Sequence, residues 1–157
     1  MSEIRNKLRI GVIGGSQPDS ASRDLAARVG RLIAEHGAVV VCGGLGGVME
    51  AAAHAAREAG GLTIGILPGS SPQDANPHID VPIATGIGYA RNALVVMNAD
   101  ALIAIDGAFG TLSEIAYGGV YERPVVGLGT WDVRSVIPAG TPEEAVRLAL
   151  EKAAGRR

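Results

Sequence analysis

The feature that most constrains the fold is a repeated pairing of a short apolar run with a glycine-rich turn. Four such runs are too short for helices and too apolar for surface loops, which is typical of strands buried on both faces of a sheet. Each of them is followed by glycine, Pro-Gly or Asp-Gly, the usual sign of a tight turn. The predicted strands are Leu8–Ile13, Ala38–Cys42, Leu62–Leu67 and Ala101–Ile105.

Amphipathic segments separate these runs, with apolar residues recurring at helical spacing. The predicted helices are Ser20–His36, Val48–Ala59, Tyr89–Asn98, Thr111–Tyr121 and Thr141–Ala154, and two further strands are predicted at Val81–Ala84 and Pro124–Leu128. Strands alternating with helices predict an α/β fold, a Rossmann-like, doubly wound and mainly parallel sheet with helices on both faces. No linker, repeat or low-complexity segment interrupts the pattern, so we expect a single domain over residues 1–157.

Composition and charge exclude several classes of protein. The net charge is −2, and no basic cluster exceeds the pair Arg156–Arg157, so nucleic-acid binding has little electrostatic support. The single cysteine, Cys42, excludes an internal disulfide framework. The apolar stretch Ala93–Ile105 is too short to span a bilayer and contains Asn98. With no apolar leader before the first turn glycines, these observations predict a cytoplasmic protein with neither membrane nor nucleic acid as a partner.

The glycine clusters point to an anionic ligand. Each follows a predicted strand, and in an open parallel sheet all such turns lie at the carboxyl edge, where ligands bind. Glycine lets backbone amides approach a ligand closely, and the helices that follow present their positive ends. The alternative is that tight strand–helix turns need glycine in any case. The residues predicted to bind phosphate here are Gly14, Gly15, Ser16, Gly43, Gly44, Gly46, Gly47, Gly107, Gly110 and Thr111.

Two common phosphate motifs are absent from the sequence. No lysine follows any of the glycine loops, which argues against a Walker-type nucleotide triphosphatase. The dinucleotide pattern GxGxxG is also missing, because the run Gly44-Leu45-Gly46-Gly47-Val48-Met49 ends in methionine. No acidic residue ends the following strand to bind a ribose, so NAD binding is not favoured.

Three segments together resemble a known superfamily. VCGGLGGVMEAAAHAAREAGG, GYARNALVV and DALIAIDGAFGTLSEIAYGG are similar to the SLOG superfamily, which includes the LOG phosphoribohydrolases, once called lysine decarboxylases, and the molybdenum-cofactor carrier proteins. The similarity runs from Arg9 to about Leu128. The resemblance implies catalytic roles for Arg91 and Glu114. Arg91 and Asn92 are also predicted to bind the ligand, because a guanidinium can contact phosphate oxygens and an amide can contact a base or ribose. The resemblance also implies a phosphorylated nucleotide-like ligand or the molybdenum cofactor, and a homodimer or larger homo-oligomer.

The loop DGAFGTLSE departs from the phosphoribohydrolase signature PGGxGTxxE. Gly107, Gly110, Thr111 and Glu114 match, whereas Asp106 replaces the proline and Ala108 replaces the second glycine. A carboxylate beside a phosphate repels the anion, and a Cβ at position 108 hinders a positive φ. We therefore expect a binding protein similar to the molybdenum-cofactor carriers, with hydrolysis of nucleoside 5'-monophosphates to free base and ribose 5-phosphate as the alternative function.

Several of these residues also have structural interpretations. Thr111 and Glu114 have the spacing of a helix capping box, and a carboxylate at a helix N-terminus favours the ionised form, which suits a general base and not a general acid. Arg91 either lies on the surface or donates two hydrogen bonds to phosphate oxygens. Asn92 either contacts the ligand or caps a helix. Phe109 either packs under its loop or covers a flat ligand.

The remaining chemistry-bearing residues point to structure more than to a site. Cys42 is expected to be a small buried apolar side chain at a strand end. His36, His54 and His78 have no metal-ligand spacing with one another or with Cys42, so no metal site is predicted.

Overall fold

A sheet of seven parallel strands dominates the computed structural model, which describes residues 2–157. The strand order is β4-β3-β2-β1-β5-β6-β7, and every neighbouring pair is parallel. The strands are β1 (Arg9–Gly14), β2 (Val39–Cys42), β3 (Thr63–Leu67), β4 (Val81–Ala84), β5 (Ala101–Ile105), β6 (Val125–Leu128) and β7 (Val136–Pro138).

Helices cover both faces of this sheet, as the alternation of elements predicts. They are α1 (Ser2–Asn6), α2 (Ser20–Glu35), α3 (Val48–Glu58), α4 (Arg91–Met97), α5 (Phe109–Val120) and α6 (Pro142–Ala154), with short 3-10 turns at Pro72–Asp74 and Gly88–Ala90. Helices α2, α3 and α6 pack in the core on one face, and α4 and α5 pack on the other. The Rossmann-like, doubly wound fold expected from the sequence is confirmed.

Strand β5 shows why the runs are apolar at every position. All five of its residues are buried. Ala101, Ile103 and Ile105 belong to the core with α2, α3 and α6, whereas Leu102 and Ala104 belong to the core with α4 and α5. Because successive side chains of a strand point to opposite faces, a central strand under two layers of helices must be apolar throughout.

Some boundaries differ from those predicted. The strand Val136–Pro138 and the helix Ser2–Asn6 are not predicted, the first because VIP is short and contains proline and the second because SEIRN is polar. Helix α4 begins at Arg91 and not at Tyr89, because residues 88–90 form a 3-10 turn. Helix α5 begins at Phe109, two residues before the predicted start at Thr111.

The topology places two of the glycine turns side by side. From β1 the chain crosses to β2 on one side, whereas β5 pairs with β1 on the other, so β1 and β5 form the switch point of the sheet. Their last residues, Gly14 and Ile105, are register partners. Ligands of open α/β sheets bind outside the carboxyl ends of the strands at this point. Within residues 2–157, no helix is both long and apolar enough to cross a bilayer.

Candidate functional site

A cavity of about 310 Å³ lies beyond the carboxyl ends of β1, β2 and β5. Such a volume is at the lower end of the range for small-molecule sites. Most of the predicted site residues line it: Gly14, Gly15, Ser16, Gly43, Arg91, Asn92, Gly110, Thr111 and Glu114. The predicted glycines Gly44, Gly46, Gly47 and Gly107 are not part of this lining.

Packing explains several of the glycines. A Cβ at Gly14 would lie 2.5 Å from the Ile105 carbonyl oxygen, and one at Gly43 would lie 2.5 Å from Nη2 of Arg91. Gly47 has a φ of 71°, and any side chain there would collide with the backbone of Ser16. At these three positions the fold itself requires glycine, because a side chain would collide with neighbouring atoms, and no ligand is needed to explain them.

Two glycines of the lining have no such explanation. A Cβ at Gly15 would have Gly107 Cα as its nearest neighbour, 3.7 Å away, and one at Gly110 would meet only Asn92 Nδ2, at 3.9 Å. Both distances are ordinary van der Waals contacts, and neither residue has a positive φ. Nothing within the fold excludes a side chain at Gly15 or Gly110. The space that these glycines leave open belongs to the cavity.

The helix N-termini at the cavity are not capped by side chains. Asp19 caps α2 by accepting from Ser22 N, and Thr141 caps α6 by accepting from Glu144 N. Helices α3 and α5, which contribute Met49 and Gly110 to the lining, have no side-chain cap among the described residues. The first-turn amides of an uncapped helix need another acceptor, and an anion supplies one.

The predicted capping box of Thr111 and Glu114 is wrong. Because α5 begins at Phe109, its N-cap residue is Ala108, and Glu114 lies in the second turn. The hydroxyl of Thr111 and the carboxyl of Glu114 make no hydrogen bond to residues 2–157, although both side chains are almost completely buried. Buried polar groups normally have partners, so these two, one turn apart on the same helix face, are available to a ligand.

Burial makes Glu114 a weak acid. Only 6% of the residue is exposed, and desolvation raises the pKa of its carboxyl to about 8, against the opposing charge of Arg91. The expectation of an ionised carboxylate suited to general base work is therefore wrong, because at neutral pH the acid form predominates. In this form Glu114 donates a proton or a hydrogen bond to a group in the cavity.

Arg91 is a buried arginine and not a surface one, with 6% of the residue exposed. Its Nε donates to the Ile66 carbonyl at 2.8 Å, Nη2 donates to the Gly43 carbonyl at 3.3 Å, and Nη1 donates to Oδ1 of Asn92. These bonds use three of the five N–H groups of the guanidinium, so two remain for a ligand. These bonds hold the positive charge of Arg91 next to Gly43, in the turn that follows β2.

Asn92 connects this arginine to helix α5. While its Oδ1 accepts from Arg91, its Nδ2 donates to Oγ of Ser113 at 3.0 Å. Ser113 in turn donates to the Gly110 carbonyl at 2.6 Å. Asn92 does not cap a helix; it holds the beginning of α4 against the first turn of α5, and so links the guanidinium to that turn.

The loop residues that depart from the phosphoribohydrolase signature lie outside the lining, except Ala108. Asp106 is exposed with a φ of 50°, and Ala108 has a φ of −110°, so the Cβ of Ala108 costs no strain. Phe109 neither packs under its loop nor lines the cavity, since it is 78% exposed and its ring centroid lies 5.8 Å from that of Trp131, with the two rings tilted by 33°. The backbone at position 108 does not take a positive φ, so the expectation that the Cβ of Ala108 would hinder the loop is wrong.

Cys42 is fully buried, as predicted, and burial raises the pKa of its thiol to about 11.

Sequence reasoning missed three kinds of residue at the site. Ser113 completes the network of Asn92, and Leu45 and Met49 supply apolar lining. Tyr89 stands at the cavity two residues before Arg91. Its position in GYARN beside the buried arginine is the signal that could have identified it.

Known proteins are similar to this chain over nearly its whole length. The molybdenum cofactor binding protein from the phototrophic bacterium Rippkaea orientalis superposes with a TM-score of 0.88 and is 36% identical, over 93% of this chain and 97% of that one. An uncharacterized protein of Archaeoglobus fulgidus is 43% identical over 148 residues, which cover 91% of this chain and 95% of that protein.

The chain is also similar in sequence to phosphoribohydrolases, over a shorter stretch. A cytokinin riboside 5'-monophosphate phosphoribohydrolase of Mycobacterium tuberculosis is 36% identical over 118 residues, covering 69% of this chain and 63% of that enzyme. The chain spans 46% to 63% of the length of the curated phosphoribohydrolases that it matches. The sequence model of the SLOG cluster4 family matches residues 7–154. The expected resemblance is confirmed, and the chain belongs to the SLOG cluster4 family.

Proposed function

We propose that this protein binds a phosphorylated, nucleotide-like small molecule and serves as a binding or carrier protein of the molybdenum-cofactor carrier type. The observation that carries the proposal is the pair of lining glycines, Gly15 and Gly110, which the fold itself does not require. Backbone amides without side chains at this position admit a phosphate to hydrogen-bond distance.

The charge distribution of the cavity supports the same ligand class. The N-terminus of α5 carries a partial positive charge, and Arg91 adds a full one that is held by three hydrogen bonds. Asp106, the one carboxylate of the loop expected to repel an anion, is exposed and outside the lining. The protein from Rippkaea orientalis, whose structure is similar over nearly the whole chain, binds the molybdenum cofactor.

Thermal denaturation with added AMP, GMP or extracted molybdenum cofactor tests this function. A ligand present at 100 times its Kd adds about 2.7 kcal/mol of stability, which for a chain of this size raises the Tm by roughly 5–10 °C. Absence of a shift with all three ligands at millimolar or saturating concentration would contradict the proposal.

The variant Gly110→Ala is expected to stabilise the free protein and to weaken ligand binding. Alanine in the first turn of α5 gains up to about 1 kcal/mol of helix propensity, because its Cβ meets only Asn92 Nδ2 at 3.9 Å. In the cavity the same methyl group obstructs a phosphate, and we expect the affinity for the tightest-binding ligand to fall by about tenfold or more. Urea denaturation and calorimetric titration measure the two effects.

Gly119→Ala is the matched control in the same helix. It is exposed, a Cβ there meets nothing within 4 Å, and it lies outside the cavity. We expect the same sign of stability change as for Gly110→Ala with an unchanged Kd. If both variants bind like the wild type, the amides of α5 are not the phosphate site.

A second candidate function, hydrolysis of nucleoside 5'-monophosphates, is favoured by Glu114. A carboxyl group with a pKa of about 8 that has no hydrogen-bond partner among residues 2–157 is a suitable proton donor to the leaving base. The positive charge of Arg91 is placed to attract the 5'-phosphate. The match to phosphoribohydrolases covers the segment that contains both residues, but only part of those enzymes.

Incubation with AMP and cytokinin riboside 5'-monophosphates distinguishes the two functions. If the protein is a hydrolase, chromatography shows free base and ribose 5-phosphate, and Glu114→Gln lowers the rate by about 10²-fold or more, as expected for loss of an acid–base group. If it is a carrier, the nucleotide is recovered intact. Full activity of Glu114→Gln would exclude Glu114 as the proton donor.

A further inference from the structure

Tyr89 is the one aromatic side chain of residues 2–157 that has neither burial nor a ring partner. Of the five Phe, Trp and Tyr residues in the chain, Phe109 and Trp131 have ring centroids 5.8 Å apart, and Tyr117 and Tyr121 have centroids 6.0 Å apart. Tyr89 is 84% exposed, yet it is part of the cavity lining. Its hydroxyl makes no hydrogen bond to the described residues.

The backbone that carries Tyr89 is firmly held. Gly86 N donates to the Gly69 carbonyl at 2.9 Å, and Gly88 N donates to the Pro68 carbonyl at 3.0 Å, which ties the loop to the end of β3. Two residues after Tyr89, the side chain of Arg91 is fixed by its own hydrogen bonds. The ring therefore projects from an ordered turn and has only two side-chain torsions to lose on binding.

An exposed ring on a rigid turn at a polar cavity suits one kind of contact. The interior of the cavity is lined by Arg91, Thr111 and Glu114, whose side chains suit charged or hydrogen-bonding groups of a ligand. A tyrosine ring offers a flat apolar face, which pairs with another flat ring in an offset stack. Stacking of a base on an aromatic side chain is insensitive to the identity of the base, because every base has a π face.

We propose, on the basis of the ligand class proposed above, that Tyr89 stacks on the heteroaromatic ring of the bound molecule. Tyr89 thereby selects ring-bearing phosphates over simple sugar phosphates, while Arg91 and the amides of α5 hold the phosphate that both kinds of molecule share. Tyr89 determines specificity in binding and takes no part in proton transfer.

Calorimetric titration of AMP, GMP and ribose 5-phosphate against four proteins tests the role of Tyr89. The proteins are the wild type, Tyr89→Ala, Tyr89→Phe and the control Ile87→Ala, which removes an exposed apolar side chain of the same loop outside the cavity. We expect the wild type to bind AMP and GMP about tenfold or more tighter than ribose 5-phosphate. Tyr89→Ala abolishes that preference, whereas Tyr89→Phe and Ile87→Ala retain it.

The outcomes separate this inference from the function on which it rests. If the wild type binds AMP and Tyr89→Ala binds it equally well, the ligand class stands and the stacking role is overturned. An equal loss of AMP and ribose 5-phosphate affinity in Tyr89→Ala would also overturn it, because the ring of the ligand would then not be what Tyr89 contacts. If the wild type binds none of the three molecules, the stacking role is overturned, and the proposed function fails with it only if the molybdenum cofactor also leaves the Tm unchanged.

Discussion

Replacing Arg91 with alanine is expected to lower the free energy of unfolding by about 3–5 kcal/mol, because three buried acceptors each lose a donor at a cost of about 1–3 kcal/mol. The guanidinium satisfies the carbonyls of Ile66 and Gly43 and the side chain of Asn92, and all three lose a donor in the variant. Chemical denaturation of the free protein measures the loss. Arg91→Lys keeps the charge but not the fork of donors, so we expect it to recover only part of the stability.

Arg147→Ala is the control for that experiment. Arg147 pairs with Glu151 at 3.1 Å on the surface of α6, where both side chains are largely exposed. Such pairs contribute about 0.3–0.5 kcal/mol, so this variant is expected to unfold almost like the wild type. If Arg91→Ala were as stable as Arg147→Ala, the hydrogen bonds of Arg91 would not stabilise the fold, and the only remaining role of the guanidinium would be to bind the ligand.

Arg91 is buried and Arg147 is exposed, and this difference cannot be predicted from the sequence. The turns that follow β1, β2 and β5 are predictable, because short apolar runs ending in glycine have few other structures available. Their meeting at one edge follows from the parallel sheet. The burial of Arg91 does not follow, because it depends on carbonyls of Ile66 and Gly43, which are distant in sequence.

The start of α5 is the second point that the sequence does not determine. Thr111 and Glu114 have the spacing of a capping box, as do Thr141 and Glu144, and only the second pair includes a real N-cap. In α6, Thr141 caps the helix and Pro142 fixes its first turn. In α5 the helix extends back to Phe109, which moves Glu114 from an exposed first turn to the buried second turn.

That displacement of one turn reverses the expected chemistry of Glu114. At a helix N-terminus the dipole lowers the pKa of a carboxyl group, whereas in a buried second turn desolvation raises it. The sequence pattern is the same in both cases. The packing of α5 against α4, β1 and β5 decides whether the carboxyl is ionised or protonated, and this packing is a property of the tertiary fold.

Replacing Glu114 with glutamine is expected to stabilise the protein at high pH and to have little effect at low pH. Below about pH 4.5 the carboxyl is protonated in both the folded and the unfolded chain, so it contributes no pH dependence. As the pH rises towards 8, the unfolded chain ionises while the folded protein retains the proton, and stability is lost. Above pH 8 the loss is complete and amounts to as much as about 5 kcal/mol, at ~1.4 kcal/mol per pKa unit.

Glutamine removes this titration while keeping the shape of the side chain. The difference in unfolding free energy between Glu114→Gln and the wild type, measured in urea from pH 4 to 9, should therefore grow steadily and level off above pH 8. Glu151→Gln, which alters an exposed carboxylate, should show no such growth. A difference that stays constant across this range would mean that Glu114 is ionised in the folded protein, and the same carboxyl could then not be the proton donor of a hydrolase. A bound anion raises the pKa of Glu114 in the folded protein further, so with saturating phosphate ligand the difference should start to grow at the same pH but level off only at a higher one.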